Sequence, residues 1–340
     1  MTDAYEAAGV SFTSGEAAVD RIGAAVKSTH DERVVSGLGS FGGVFDLASL
    51  AGIDDPLLVA STDGVGTKTK LSAELDRWEG AGADIVNHGI NDVLVQGARP
   101  LFFLDTVAAQ HLDPEIVGRI VDGMADACRA AGCVLLGGET AEMPGVFTEG
   151  AVDIAGTMVG AVGRSELLPR AGIEAGDVLI GVASDGLHTN GYSLARSVAA
   201  NHSLSDPIPG GDGTTIGDAL TAVHRSYLPV LERALDEGKI SALAHITGGG
   251  LLDNIPRVLP DGTGASVRLD SWDRPALFQW LMDEAELDVG QAHRIFNCGV
   301  GMVLIVKPAD VEAVQAAIDE PTWVMGEVTT HTDGDRVQLV

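Results

Sequence analysis

A short apolar run, Pro56-Leu-Leu-Val-Ala60, passes directly into Ser61-Thr-Asp-Gly-Val-Gly-Thr-Lys68. That change of character constrains the fold more than any other stretch. An apolar run of this length between polar flanks reads as a buried strand. Its end delivers a carboxylate, two glycines, a hydroxyl and an ammonium to one turn. Glycines let backbone N–H groups approach an anion closely, Lys68 supplies a point charge, and Asp63 can hold a hard cation. Together they suit a metal-bound polyphosphate. The spacing is not G-x-x-x-x-G-K-[ST], so the common phosphate-loop fold is not implied. Taken alone, such a turn is also an ordinary strand-ending loop, and its neighbours must decide between the two.

The 340 residues suffice for two domains with well-developed cores. A hydrophobic content of 45% with only 4% aromatics, and 44 glycines, fits an α/β protein whose Val, Ile, Leu and Ala strands are joined by tight loops. No apolar run approaches the ~18 residues of a membrane span. The N-terminal stretch lacks the basic and apolar pattern of a signal peptide. A cytoplasmic protein with no membrane partner is expected. Cys128, Cys133 and Cys298 show no metal-ligand spacing and read as small core residues.

The net charge is −28, and lysine occurs only at positions 27, 68, 70, 239 and 307. Such like charge opposes compactness at ordinary ionic strength. At molar salt the Debye length shrinks to ~3 Å and the repulsion is screened. The charge therefore reads as adaptation to a salt-rich cytosol. Nucleic acid is disfavoured as a partner, because its phosphates would be repelled. Against this background Lys27 and Lys68 stand out.

Strands and helices alternate through the first half. The turn after Ala60 is followed by a helix over about Gly80 to Gln96, a strand over Pro100 to Ala108, and a helix with Asp113 as cap, Pro114 at its first position and Gly132 at its end. Strands follow at Cys133–Leu136 and Val152–Val162. The polar stretch Arg164–Gly176 is the expected boundary, giving domains 1–165 and 166–340. The second half restarts with a strand at Asp177–Ala183 and closes as strand, helix, strand.

Three further segments carry chemistry. The 80–96 helix places Asp84, Asn87, His88, Asn91 and Asp92 on one face. Carboxylates and amides without counter-charges suit a face turned to a bound cation, although a solvated face has the same spacing. Gly137-Gly-Glu-Thr-Ala-Glu142 follows a strand, and ligands of α/β proteins gather beyond strand ends. Asp63, Asp92, Glu139 and Glu142 would then form an acidic cluster for Mg²⁺ carrying a nucleotide. In the second half, Ser184-Asp-Gly-Leu-His-Thr-Asn-Gly191 and His245-Ile-Thr-Gly-Gly-Gly250 share one design: histidine, hydroxyl, glycine, helix start. Each suits a phosphate, and Thr189 or Asn190 could instead simply cap the helix. No G-x-S-x-G, H-E-x-x-H or paired cysteine nucleophile is present.

The motifs STDGVGTK, VLVQGARPLFFLD, GGETAEMPG, LHTNGYSL, HITGGGLLDNIPRVLP and FNCGVGM, in this order, resemble the phosphoribosylformylglycinamidine cyclo-ligase (aminoimidazole ribonucleotide synthetase) family. The resemblance runs from about Tyr5 to the C-terminus. It implies two α/β domains with mixed sheets, the N-terminal domains of a homodimer pairing into a β-barrel. It also implies ATP and Mg²⁺ as cofactors, with K⁺ a further candidate cation, and formylglycinamidine ribonucleotide as substrate. By motif, Asp63, Asp92 and Glu139 take Mg²⁺–ATP, with Glu142 as a fourth carboxylate, and Gly64, Gly66, Thr67 and Lys68 take phosphates. Gly39, Gly42 and Gly43 belong to a segment covering the nucleotide, with Lys27 nearby. Asn190, Gly191, Thr247, Gly248, Gly249 and Gly250 address the substrate, and His188, His245 and Lys68 are the catalytic candidates. Ser184-Asp185-Gly186-Leu187 departs from the form expected of bacterial members, which leaves Asp185 without an assigned role. A thiamine-monophosphate kinase of the same superfamily is the alternative, but it would carry Asp where His245 stands. A selenophosphate synthetase would carry a reactive Cys or selenocysteine near the N-terminal glycines, and none precedes Cys128.

Overall fold

The computed structural model describes residues 12–35 and 42–340. The chain divides into two compact units, residues up to Val93 with Arg99–Gly163, and Leu94–Ala98 with Arg164–Val340.

The first unit contains α1 (Phe12–Lys27), β1 (Pro56–Gly64), α2 (Thr69–Glu74), α3 (Trp78–Leu94), β2 (Arg99–Ala109), α4 (Pro114–Ala131), β3 (Val134–Glu142) and β4 (Val152–Gly163). Its sheet has the order β1-β4-β2-β3. β4 is antiparallel to both neighbours, and β2 and β3 are parallel, joined through α4. The expected start and stop signals of α4 are present: Asp113 accepts from the Glu115 and Ile116 N–H groups, and Gly132 closes the helix at φ 66°. Phe103 and Val107 are buried on the helix-facing side of β2. There α3 comes down close on the sheet, because a Cβ on Gly89 would lie 2.8 Å from Met158 Cβ.

Two strand readings need correction. Among the described residues β1 is not a buried strand but an edge, paired only with β4, and its residues are exposed or half-buried, with Leu58 61% exposed. The apolar run reported strand-forming residues and could not report that one face stays open. β3 does not stop at Leu136. Its ladder with β2 continues to the Ala109–Glu142 pair, so Glu139 and Glu142 lie within a strand and not in a loop beyond it.

The turn after β1 is fixed from inside. Lys68 ends a short 3₁₀ turn, Gly66–Lys68, and its Nζ lies 2.7 Å from Asp84 Oδ2 on α3. The two side chains are 1% and 0% exposed. Burial pulls the ammonium below its ordinary pKa, and Asp84 opposes that pull. The direct phosphate contact and catalytic role expected of Lys68 are therefore not what the structure displays. Gly66 and Thr67 of the turn are exposed, as is Lys70 in the first turn of α2.

The second unit contains β5 (Val178–Ala183), α5 (Tyr192–Ala199), α6 (Ile216–Leu220), α7 (Leu228–Asp236), β6 (Ile240–His245), α8 (Gly250–Asn254), β7 (Thr263–Val267), α9 (Ala276–Glu284), α10 (Val289–Ile295), β8 (Val300–Val306), α11 (Val311–Ala317), β9 (Thr322–Thr330) and β10 (Val337–Leu339). The sheet order is β10-β7-β9-β5-β8-β6, antiparallel throughout except for β10 with β7. β8 is buried at every position, as its unbroken apolar sequence requires. β5 and β6 both end beside the glycine turns singled out above.

Removing one partner of the Lys68–Asp84 pair strands a charge in the interior. Lys68→Ala is expected to lose about 3–5 kcal/mol of stability, while Lys68→Met with Asp84→Leu recovers most of it. Urea unfolding of the three proteins in one molar-salt buffer checks this.

Candidate active site

In the first unit, β1 and α3 bring two of the expected carboxylates together around an imidazole. His88 Nε2 lies 3.2 Å from Asp63 Oδ2 and 3.5 Å from Asp92 Oδ2. Ser61 donates to Asp92 Oδ2 at 2.7 Å, and Asp63 Oδ1 accepts from the Gly64 N–H at 2.6 Å. Burial lowers the His88 pKa, but hydrogen bonds to Asp63 and then Asp92 outweigh it and hold the ring at about 9. The same His88 contact lowers the Asp63 pKa. A positive group thus already sits between these carboxylates at neutral pH. The solvated-face reading of α3 is excluded, since Asp84, His88 and Asn91 are all buried.

The other two acids do not join them. Asp63 shares a row across the sheet with Gly156, Asp105 and Gly138. Glu139 lies on the far edge strand in the next row, beside Thr106, so its side chain points to the opposite face. At ~4.8 Å per strand, roughly 14 Å of sheet separates the two backbone positions. Glu142 is turned to the backbone instead: its carboxylate accepts from the Leu112 N–H at 2.9 Å and lies 3.6 Å from His111 Nδ1. The four-carboxylate cluster is therefore reduced, within one chain, to Asp63 and Asp92. A strand's two-residue period separates faces that loop-based reasoning had merged.

Asp105 takes a place in this face that the sequence reading did not assign. Burial pushes its carboxyl up to about 7, with Glu139 adding to the effect. A Cβ at Gly138 would lie 2.3 Å from Asp105 Oδ1, so the glycine leaves room for the acid. Lys27 is exposed at the end of α1. Gly42 and Gly43 are exposed, and a Cβ at Gly43 would lie 2.3 Å from Leu136 Cγ on β3. Gly39 lies outside the described residues.

In the second unit the two glycine turns converge. His188, buried at φ 63°, follows β5, and His245, also buried, ends β6, with ring centroids 6.5 Å apart. A Cβ at Gly248 would come within 3.2 Å of Asn190 Oδ1. α5 is capped by Gly191 at φ 79° without any side-chain bond, so Asn190 and Thr189 are not its caps. The Asn190 Nδ2 group is buried without a hydrogen-bond partner among the described residues. A left-handed histidine is uncommon and stores strain that the surroundings must hold. Gly301 on β8 makes the space: a Cβ there would meet Tyr227 Oη at 2.0 Å and His188 Cε1 at 2.6 Å.

Three residues that sequence reasoning did not single out organise these turns. Asn254 Nδ2 donates to the carbonyls of Gly250, Gly248 and Thr247 at 2.9, 3.1 and 3.3 Å, holding the Thr247–Gly250 turn, with Gly249 at φ 95°. Asn297 donates to the Gly186 carbonyl at 2.8 Å and accepts from Ser184 at 3.0 Å. His224, between α6 and α7, stacks on His188 with centroids 4.1 Å apart. Asn254 and Asn297 fall within quoted motifs, whereas His224 sits in a loop with no local signal.

Two outcomes follow from this geometry. His88 has its folded pKa raised above the ordinary 6.5, so its contribution is complete below pH 6.5 and is lost as pH rises through 9. His88→Gln is expected to cost about 1–3 kcal/mol at pH 6, discounted for the half-exposed Asp63, and much less at pH 10. Unfolding titrations at both pH values measure it. Asn254→Ala should lose about 1–3 kcal/mol and Asn254→Asp should not restore it, because the carbonyls need a donor.

Comparison with known proteins agrees with both units. The family models "AIR synthase related protein, N-terminal domain" and "AIR synthase related protein, C-terminal domain" match residues 45–162 and 174–338. A phosphoribosylformylglycinamidine cyclo-ligase of Desulfitobacterium hafniense is 46% identical, covering 98% of this chain and 99% of the relative. One from Trichlorobacter lovleyi is 43% identical, covering 99% and 97%. Among solved structures, E. coli HypE aligns with a TM-score of 0.70 at 21% identity, over 96% of this chain and 93% of that one. A thiamine-monophosphate kinase from Stenotrophomonas maltophilia gives 0.68 at 18% identity, over 95% of each. These structures share the fold. With both domain models matched and the relatives aligned nearly end to end, the chain belongs to the phosphoribosylformylglycinamidine cyclo-ligase family.

Proposed function

We propose that this protein closes the imidazole ring of aminoimidazole ribonucleotide from formylglycinamidine ribonucleotide, consuming ATP and releasing ADP and phosphate, as a step of purine synthesis. The observation that carries this reading is the 46% identity to a cyclo-ligase over 98% of the chain. An amide oxygen is a poor leaving group. ATP phosphorylates the formyl oxygen, the amidine nitrogen attacks that carbon, and the C–O bond breaks to release phosphate. Such chemistry needs positioning and charge neutralisation more than a protein nucleophile. His245 at the end of β6 gives no support to the thiamine-phosphate kinase alternative, which calls for Asp there.

Asp63 and Asp92 are the residues that would hold Mg²⁺, and their hard oxygens fit it: the pair already attracts a positive group, the His88 ring. When bound, the ion neutralises phosphate charge. K⁺ is a further cation for this carboxylate-rich surface. Gly64, Gly66 and Thr67 contact the phosphates, with Lys70 the exposed ammonium in the first turn of α2 and Lys27, Gly42 and Gly43 on the nucleotide side. The substrate is met by Asn190, Gly191 and the Thr247–Gly250 turn, where the Asn190 amide offers a buried donor. His188 and His245 move protons during closure.

A homodimer is part of this reading. β1 is an open edge with Leu58 exposed, and Ala60 and Thr62 continue its outward side, a face suited to pairing with a second copy into a barrel. Glu139, turned to that side, serves the nucleotide in the paired form. The net charge of −28 supports a salt-rich cytosol as the setting, and no helix among the described residues is long and apolar enough to cross a membrane.

Incubation with ATP and formylglycinamidine ribonucleotide in molar KCl should yield ADP, phosphate and an imidazole product in equal amounts. ATP hydrolysis with no imidazole product rejects the reading. Asp63→Asn should abolish Mg²⁺-dependent nucleotide binding by calorimetry. His188→Asn, which tolerates the left-handed backbone, should lower kcat by about 10²-fold or more with nucleotide binding kept.

A further inference from the structure

On the ring-closing reading, in which His188 and His245 carry protons, we propose that His224 is the residue that positions both. It fixes the planes of the two rings and leaves Nδ1 of His245 as the nitrogen that exchanges a proton. His224 lies in the loop between α6 and α7 and is fully buried. Its two nitrogens and one ring face are all engaged. Nδ1 lies 3.2 Å from Thr189 Oγ1, and Nε2 lies 3.0 Å from His245 Nε2. The ring stacks on His188, with centroids 4.1 Å apart and 14° between the planes. The loop that carries it is anchored in turn. Tyr227 Oη donates to the Ala183 carbonyl at 2.6 Å, and Arg225 pairs with Glu320 and lies 3.7 Å from Asp185. These contacts tie the loop to the end of β5, from which the His188 turn departs.

A hydrogen bond between two imidazole nitrogens holds one proton, because two N–H groups would collide and two lone pairs would repel. Neutral His224 and His245 are therefore opposite tautomers. With the shared proton on His245 Nε2, His224 carries its own on Nδ1 and donates it to the Thr189 hydroxyl. With the shared proton on His224 Nε2, the Thr189 hydroxyl donates to His224 Nδ1, and His245 is protonated on Nδ1. Either way the contacts from Thr189 through His224 to His245 are satisfied, and Nε2 of His245 is committed. In the first arrangement His245 Nδ1 takes a proton from the substrate while Nε2–H goes on donating to His224. The imidazolium so formed keeps its partner, and returning the proton from Nδ1 restores the neutral pair. For His188 the stack has the same use, since it fixes a ring carried on a left-handed backbone.

The test uses the full chain, with ring closure and nucleotide binding measured side by side. His224→Phe keeps a flat ring against His188 and loses the hydrogen bonds to Thr189 and His245. It should lower kcat by about 10–100-fold, with KM and calorimetric nucleotide binding unchanged. Thr189→Val should lower kcat in the native background and add nothing to His224→Phe, because Thr189 acts through His224. Thr189→Ser should retain the native rate. An undiminished kcat in His224→Phe, or additive losses in the double variant, overturns the proposal. Native protein that makes no imidazole product rejects the ring-closing reading instead. In that event, or should the variants fail to fold, imidazole ¹⁵N NMR of the native protein decides. At a pH where both rings are neutral, one of His224 and His245 must carry its proton on Nε2 and the other on Nδ1. The same tautomer in both overturns the assignment.

Discussion

The Lys68–Asp84 ion pair is the contact on which the N-terminal site depends. A buried pair of this kind adds little net stability, since the cost of removing two charges from water offsets most of the attraction. Its value is positional. It ties the turn after β1 to the middle of α3, and the remaining contacts between the two elements fall into line: Ser61 with Asp92, and Asp63 with His88. Lysine is scarce in this chain, yet one of its five copies is spent in the interior. The residue works on the architecture of the turn after β1.

The two units solve different electrostatic problems. The first collects carboxylates and must keep them from repelling one another. His88, protonated below about pH 9, lies between two of them, and Asp105, its carboxyl pushed up by burial to about 7, carries only part of its charge at neutrality. The second gathers imidazoles and amides around two glycine turns, where Asn254 and Asn297 hold carbonyls by donation.

Much of this was legible in the residues. The alternation of elements, the capped helix from Pro114 and the two histidine turns follow from local chemistry, because caps, glycines and apolar runs act over a few positions, whereas the mixed sheets were implied by the family resemblance. The polar face of α3 was visible as a face, but its burial was not, since a helical period cannot say what covers a stripe. Glu139 and Glu142 misled for a related reason: two glycines looked like the end of a strand, and parallel pairing with β2 carried the strand through them. Lys68 misled because charge type does not reveal direction. His224 was invisible, being brought to His188 and His245 only by tertiary packing.

The edge position of β1 has a cost beyond the site itself. Natural proteins usually blunt an exposed strand edge with lysines, bulges or prolines, so that it does not recruit stray chains. Here only Pro56 is of that kind, at the first position, and the rest of the strand is committed to Leu58, Ser61, Asp63 and Gly64. Protection from misassembly and the ligand contacts proposed for Asp63 and Gly64 would therefore compete for the same nine residues. A variant chosen for solubility at this edge would be drawn from the positions the chemistry can least give up.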